Sequence, residues 1–317
     1  MCGEMSSEDS YKNWMGDLRP ELTRIPLCSL AIPGSHDSGA YWLDRGGGIA
    51  EDEPSVVRTL ATRCCCGISI VYRWSLTQHL SVKGQLEHGV RYLDLRLCGR
   101  PGSPDVYVTH GLYGHRLKDI LVEVSEFLEE NPKEFLILDF NHFYNMTSVD
   151  HREVLILIIS AFREKILGGD SPNLAGKMTL EEIWKTPARM IVFYGHPSRN
   201  EFSFFWSREY IQSPWANTDN SSALVNFHER NYNQNARRGA GEFYVWQGVL
   251  TPSAKTIITN ICSSVESKLV PRANPAFLGW LKNKVPSHVG INICCVDFVE
   301  KYNFVPNVLS LNKHIQV

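Results

Sequence analysis

The 317-residue, 36.0 kDa chain fits one large domain or two modest ones, and its 43% hydrophobic and 21% charged residues exclude a globally disordered protein. Its 32 Lys and Arg against 34 Asp and Glu leave a formal net charge of −2, without the basic footprint of a duplex-binding protein. No nucleic-acid partner is expected, and a strongly cationic membrane binder is disfavoured.

The chain starts with a polar, acidic stretch that lacks an apolar signal core. The longest clean apolar run, 154–159, is far too short for a bilayer span. The 9 cysteines include adjacent groups and no CxxC pair, so zinc-site spacing is missing. A reduced, cytoplasmic protein with peripheral membrane contact is the simplest expectation.

Residues 1–22 read as an N-terminal extension with a first helix, and 23–317 as a single domain. Strands are predicted at 28–32, 90–96 and 106–110. A helix follows at 117–130, where Leu117, Leu121, Val124 and Leu128 recur at three- and four-residue spacing until Asn131-Pro132 stops it. Next come a strand at 135–141, a helix at 148–166 capped by Ser148 or Asp150, a helix at 179–185 and a strand at 190–194. The remainder reads as a strand at 242–247, helices at 253–269 and 275–284, and a strand at 291–297. This alternation implies a mainly parallel sheet, and the number of units favours a barrel over an open sheet. The stretch 97–105 is too short for a parallel crossover, so the expected fold is α/β, an irregular TIM barrel. Residues 196–240 read as a long excursion near the site.

Three strand ends carry candidate chemistry. In Ala31-Ile32-Pro33-Gly34-Ser35-His36-Asp37-Ser38 an apolar run leads through Pro-Gly to a His-Asp pair, placed where barrel active sites lie. In Gly89-Val90-Arg91-Tyr92-Leu93-Asp94-Leu95-Arg96-Leu97, strand alternation puts Asp94 and Arg96 on one face and the leucines on the other. A buried structural ion pair is the rival reading for Asp94 and Arg96. In Val106-Tyr107-Val108-Thr109-His110-Gly111 a second His ends a β run. Two imidazoles flanking an Arg suit phosphodiester cleavage: one takes a proton from a hydroxyl, the other protonates the leaving oxygen, and the guanidinium stabilises the phosphorane-like charge.

Pro33-Gly34-Ser35-His36-Asp37-Ser38, Arg91-Tyr92-Leu93-Asp94-Leu95-Arg96 and Thr109-His110-Gly111 resemble, in order and spacing, the X region of phosphatidylinositol-specific phospholipase C. The segments 135–144, 214–218 and 290–298 resemble the animal X-domain-containing members. The resemblance covers roughly residues 10–315. It implies a distorted TIM barrel that cleaves a phosphatidylinositol with the inositol 2-hydroxyl as internal nucleophile. It further implies His36 as base, oriented by Asp297; His110 as acid; Asp37 supporting His110 and the arginine; and Arg96 on the phosphate.

Calcium-dependent relatives carry acidic ligands where this chain has Arg96 and the neutral Asn141, so metal-independent chemistry without a cofactor is expected. Asp94, Asn141 and Trp246 are candidate substrate-binding residues, with core packing the alternative for Trp246. Two further function classes stay open: another lipid phosphodiesterase of the same barrel type, and a phosphoinositide-binding scaffold without turnover.

Overall fold

The structure is a computed structural model that describes residues 11–52, 66–168, 178–234, 239 and 241–316. The strands are β1 (Ile32–Ser35), β2 (Tyr92–Gly99), β3 (Val106–His110), β4 (Leu112–Arg116), β5 (Leu136–Tyr144), β6 (Met190–Tyr194), β7 (Ile211–Gln212), β8 (Phe243–Gln247) and β9 (Ile293–Val296). Seven of them form a parallel ladder in the order β6-β5-β2-β1-β9-β8-β7. The ends of this ladder are not hydrogen-bonded to each other among the described residues. A single bridge, Phe193 to Trp206, continues the sheet beyond β6. The result is an irregular barrel with an interrupted wall. The short 97–105 connection is a hairpin turn, since β3 pairs antiparallel with β2, and β4 with β3.

Strand alternation sorts the apolar side chains into two cores. Ile32, Tyr92, Ile137, Ile191, Phe193, Phe243, Val245, Ile293 and Cys295 fill the barrel. Their sequence neighbours Leu93, Leu95, Leu138, Phe140, Val192, Cys294 and Val296 face the surrounding helices. Those helices are α1 (Gly67–Ser75), α2 (Val82–Glu87), α3 (Leu117–Glu130), α4 (Ser148–Phe162), α5 (Ser221–Gln234), α6 (Val270–Leu281) and α7 (Phe304–Leu311), with shorter turns between them. The apolar stripe of α3 buries Leu117, Ile120, Leu121, Val124, Phe127 and Leu128. The start of α4 is capped by Thr147, which exchanges hydrogen bonds with Asp150 in a capping box.

The structure differs from the sequence reading in places. The first strand begins at Ile32 rather than Cys28, because Leu27–Ser29 forms a 3-10 turn and the ladder register sets β1 opposite Ile293–Val296. The helix read at 253–269 is two short pieces, Ala254–Thr259 and Val265–Lys268, and α6 starts at Val270. Residues 221–234 of the long excursion form α5, a polar helix whose buried residues are Leu224 and His228.

The end of the barrel opposite the strand C-termini is closed by the N-terminal segment, with Trp14 and Met15 in the interior core. It is tied down by a fully buried ion pair, Arg91 with Glu134 at 2.6 Å. The remaining Arg91 N–H groups donate to the carbonyls of Leu86, Val90, Tyr11 and Lys12, and Glu134 accepts from the amides of Met15 and Gly16. Arg91→Ala would strand a buried carboxylate, so it should destabilise the fold by about 3–5 kcal/mol, read as a lower urea midpoint. A midpoint matching the wild type would show that this clamp contributes nothing.

Candidate active site

The site is built from β1 and β9, which are hydrogen-bonded neighbours with Ser35 opposite Val296. The next residue on each strand is His36 on one side and Asp297 on the other. His36 is fixed by its own backbone, whose N–H donates to Val296 O and whose carbonyl accepts from Gln78 Nε2. His36 Nδ1 lies 2.7 Å from Asp297 Oδ1. A carboxylate only accepts, so Nδ1 carries a proton, and in the neutral ring Nε2 keeps its lone pair, facing Arg96.

Asp37 has a φ of 42°, the left-handed region that a non-glycine residue occupies only under constraint. The constraint is visible: its N–H donates to Asp94 Oδ2 at 3.1 Å, and its carbonyl accepts from Thr77 Oγ1 at 3.1 Å. This turn lets consecutive side chains, His36 and Asp37, face the same point. Arg96, projecting from β2, completes the cluster. Its Nε is 2.5 Å from Asp37 Oδ1, one terminal nitrogen is 3.5 Å from Asp94 Oδ2, and the same nitrogen is 3.0 Å from His36 Nε2. His110, at the end of β3, donates from Nδ1 to the carbonyl of Ser75, the last residue of α1, at 2.7 Å. The nitrogen left for proton exchange is Nε2, 3.2 Å from Asp37 Oδ2. The two imidazoles stand edge to face with centroids 6.2 Å apart.

The electrostatics follow from this packing. Burial works against a charged His36, but the carboxylates of Asp37 and Asp297 outweigh it and Arg96, and raise the ring from 6.5 to about 9. The Arg96 contact suits the neutral ring, in which Nε2 accepts. On protonation, Nε2–H is met instead by Asp37 Oδ2 at 3.5 Å and Asp94 Oδ2 at 3.9 Å. Burial opposes ionisation of Asp94 too, yet Arg96 and His36 hold its carboxyl well below the usual range. Burial likewise opposes the charge on Arg96, and Asp37 and Asp94 restore it.

Asn141 donates to Asp94 Oδ1 at 2.5 Å, placing it at the wall of the same cluster. Trp246 is elsewhere. On β8 the inward residues are Phe243 and Val245, so Trp246 points outward and packs on Trp280, with its ring N–H on the Gly290 carbonyl. It is a core residue, and the inward strand end is Gln247, which donates to Ser213 and Pro214.

Sequence reasoning missed other polar groups. Arg208, from the long excursion, lies 3.2 Å from Asp139 Oδ1, and Tyr92 donates to Asp139 Oδ2 at 2.9 Å. Burial raises Asp139, with Arg208 opposing that shift. A bulge in β5 also brings His142 beside Arg96 in register. Arg208 gave no signal in the sequence, because its partner Asp139 lies on a strand far away in the chain.

His36, Asp37 and Asp94 offer donor atoms within 4.8 Å of one another. The Arg96 guanidinium already meets all three, and the two carboxylates fall far short of the six to eight oxygens that calcium takes. Asn141 presents its NH2 to this point rather than its oxygen. The donor set does not fit a calcium ion. Among the described residues no helix is long and apolar enough to cross a membrane.

No family model matches the chain. It is 38% identical to PI-PLC X domain-containing protein 2 of Mus musculus, over 97% of this chain and 89% of that one. It is 33% identical to PI-PLC X domain-containing protein 3 of Mus musculus, over 96% and 95%. The fold resembles the phosphatidylinositol-specific phospholipase C of Listeria monocytogenes, with a TM-score of 0.67 at 18% identity over 95% of this chain and 98% of that one. It also resembles a mutant of the Staphylococcus aureus enzyme, with a TM-score of 0.66 at 17% identity over 98% and 99%.

If His36 acts as a base, its activity requires the neutral ring, so the rising limb of kcat/KM against pH should lie above 6.5, toward about 9. Asp297→Asn removes a carboxylate that raises the ring, so the limb should move to lower pH as the rate falls. A limb that stays in place in Asp297→Asn would contradict the pairing.

Proposed function

The chain belongs to the PI-PLC X domain-containing proteins, and we propose that it is a metal-independent phosphatidylinositol-specific phospholipase C that works by paired-histidine acid–base catalysis. The observation that carries this reading is the single cluster in which Asp297 orients His36 while Arg96 stands between His36 and the Asp37–His110 pair. In this reading the lipid's phosphate displaces Arg96 from His36 Nε2 and takes over its terminal nitrogens. Nε2 then removes the proton of the inositol 2-hydroxyl, and that oxygen forms a new bond to phosphorus. The bond from phosphorus to the diacylglycerol oxygen breaks, and His110 Nε2 delivers the proton that oxygen needs. The products are diacylglycerol and a cyclic inositol phosphate, and both histidines end in the protonation state opposite to their starting one, ready for exchange with water.

Each residue type is suited to its part. Arg96 supplies a fixed planar fork for a phosphate and charge for a pentacoordinate transition state. Asp37 holds that fork and His110 at once, which sets their separation. Asp94 and Asn141 line the head-group side. The substrate sits in a membrane, so contact is peripheral, through the rim around the strand C-termini.

His36→Ala and His110→Ala should each lower kcat toward phosphatidylinositol vesicles by roughly 10²–10⁴-fold. Arg96→Lys keeps the charge that Asp37 and Asp94 require but loses the fork, and should lower kcat by about 10²–10³-fold. Wild-type activity should survive EDTA. Wild-type rates in purified His36→Ala would overturn the proposal, and binding of vesicles without product would favour a non-catalytic lipid-binding protein.

A further inference from the structure

The register of β5 against β2 slips by one residue within the site. Leu95 lies opposite Phe140, but Arg96 lies opposite His142, so Asn141 is an extra residue in β5. A bulge of this kind re-aims side chains that strict alternation would send to opposite faces. Asn141 and His142, consecutive in sequence, are both turned toward the charged cluster. The charges of Arg96, Asp94, Asp37 and Arg208 all act on the His142 ring, while Phe143 packs on the helix side against His151 and Tyr194.

Hydrogen-bond polarity then fixes what His142 presents. Asp94 is an ionised carboxylate and accepts only, so Asn141 must face it with its NH2, at 2.5 Å. The Asn141 oxygen is therefore the atom that meets His142 Nδ1, at 2.6 Å, and Nδ1 must carry the proton. The remaining nitrogen, Nε2, is an acceptor, and it has no hydrogen-bond partner among the described residues. The Tyr144 ring lies 6.3 Å away and within 10° of parallel to the imidazole. His142 is exposed at the rim of the site, and partial desolvation of its ring together with the Arg96 charge lowers its pKa, which favours the neutral ring and its acceptor.

We propose that His142 determines head-group specificity, its Nε2 accepting a hydrogen bond from a ring hydroxyl of the polyol whose phosphate lies on Arg96. Strand neighbours stand about 5 Å apart, a spacing at which the phosphate on Arg96 and the hydroxyl on His142 fit on one small ring. A lone pair at that point takes a hydroxyl and repels a phosphate, so the position discriminates against head groups phosphorylated there. A site that hydrogen-bonds a hydroxyl also rejects the analogue that lacks it. This inference rests on the reading of the preceding subsection.

The test is competitive inhibition by glycerophosphoinositol and by a series of analogues with one ring hydroxyl replaced by hydrogen. Wild type should bind one deoxy analogue about ten-fold more weakly than the parent, about 1.4 kcal/mol. His142→Phe should bind the parent and that analogue equally, and His142→Gln, which keeps an acceptor, should restore discrimination. Thermal unfolding of each variant confirms that it is folded. Retention of the wild-type pattern in His142→Phe would overturn the inference, and so would a wild type indifferent to every deoxy position. A wild type that neither binds the series nor cleaves phosphatidylinositol overturns the enzymatic reading itself, and this inference with it.

Discussion

The buried carboxylate of Asp37 is the constraint on which the site depends. One of its oxygens faces Arg96 and the other faces His110, and neither has room for water to take over. A charge taken out of water needs a partner of opposite sign in good geometry, or it costs several kcal/mol. Asp37 meets that need with the two groups that the proposed chemistry also needs, so satisfying the carboxylate is the same act as fixing the distance between them. Its left-handed backbone is a strain of about 1–3 kcal/mol held in place by Asp94 and Thr77.

The barrel makes this arrangement possible by layering. Apolar side chains from the parallel strands fill the interior up to Tyr92 and Cys295, and the next residues along the same strands are Asp94, Asp139 and Asp297. The polar layer therefore sits directly on a packed floor, on the strands or on the first residues beyond them. At the other end, Arg91 and Glu134 use a second buried ion pair to hold the N-terminal segment against the same floor. In both places a guanidinium is paired with a buried carboxylate and helps position the groups around it.

Much of this was legible in the sequence because period-two alternation is a strong signal. The leucines of β2 and the Asp94–Arg96 pair sort to opposite faces as expected, and α3 follows its three- and four-residue apolar spacing from first residue to last. The failures have physical causes. Pro33 and Gly34 look like a turn, yet they sit inside β1, where close contact of Gly34 with Tyr92 requires the absence of a Cβ. Trp246 ended a strand with the expected composition, but its face is set by register against β9, which alternation within β8 alone does not reveal. The bulge at Asn141 is a two-strand property, so a single strand pattern sends His142 to the wrong side. Arg208 was invisible for the same reason, since its partner is chosen by the fold.

The relatives and the bacterial folds place the chain in its family and architecture, while the proposed chemistry rests on two imidazoles held around one guanidinium. The most direct test is the phosphorus NMR spectrum of phosphatidylinositol vesicles mixed with the purified protein in the presence of chelator. The account predicts that the signal of a five-membered cyclic inositol phosphate appears first, ahead of any acyclic phosphate. A spectrum in which the lipid signal persists unchanged, or in which an acyclic phosphate forms first, would contradict it.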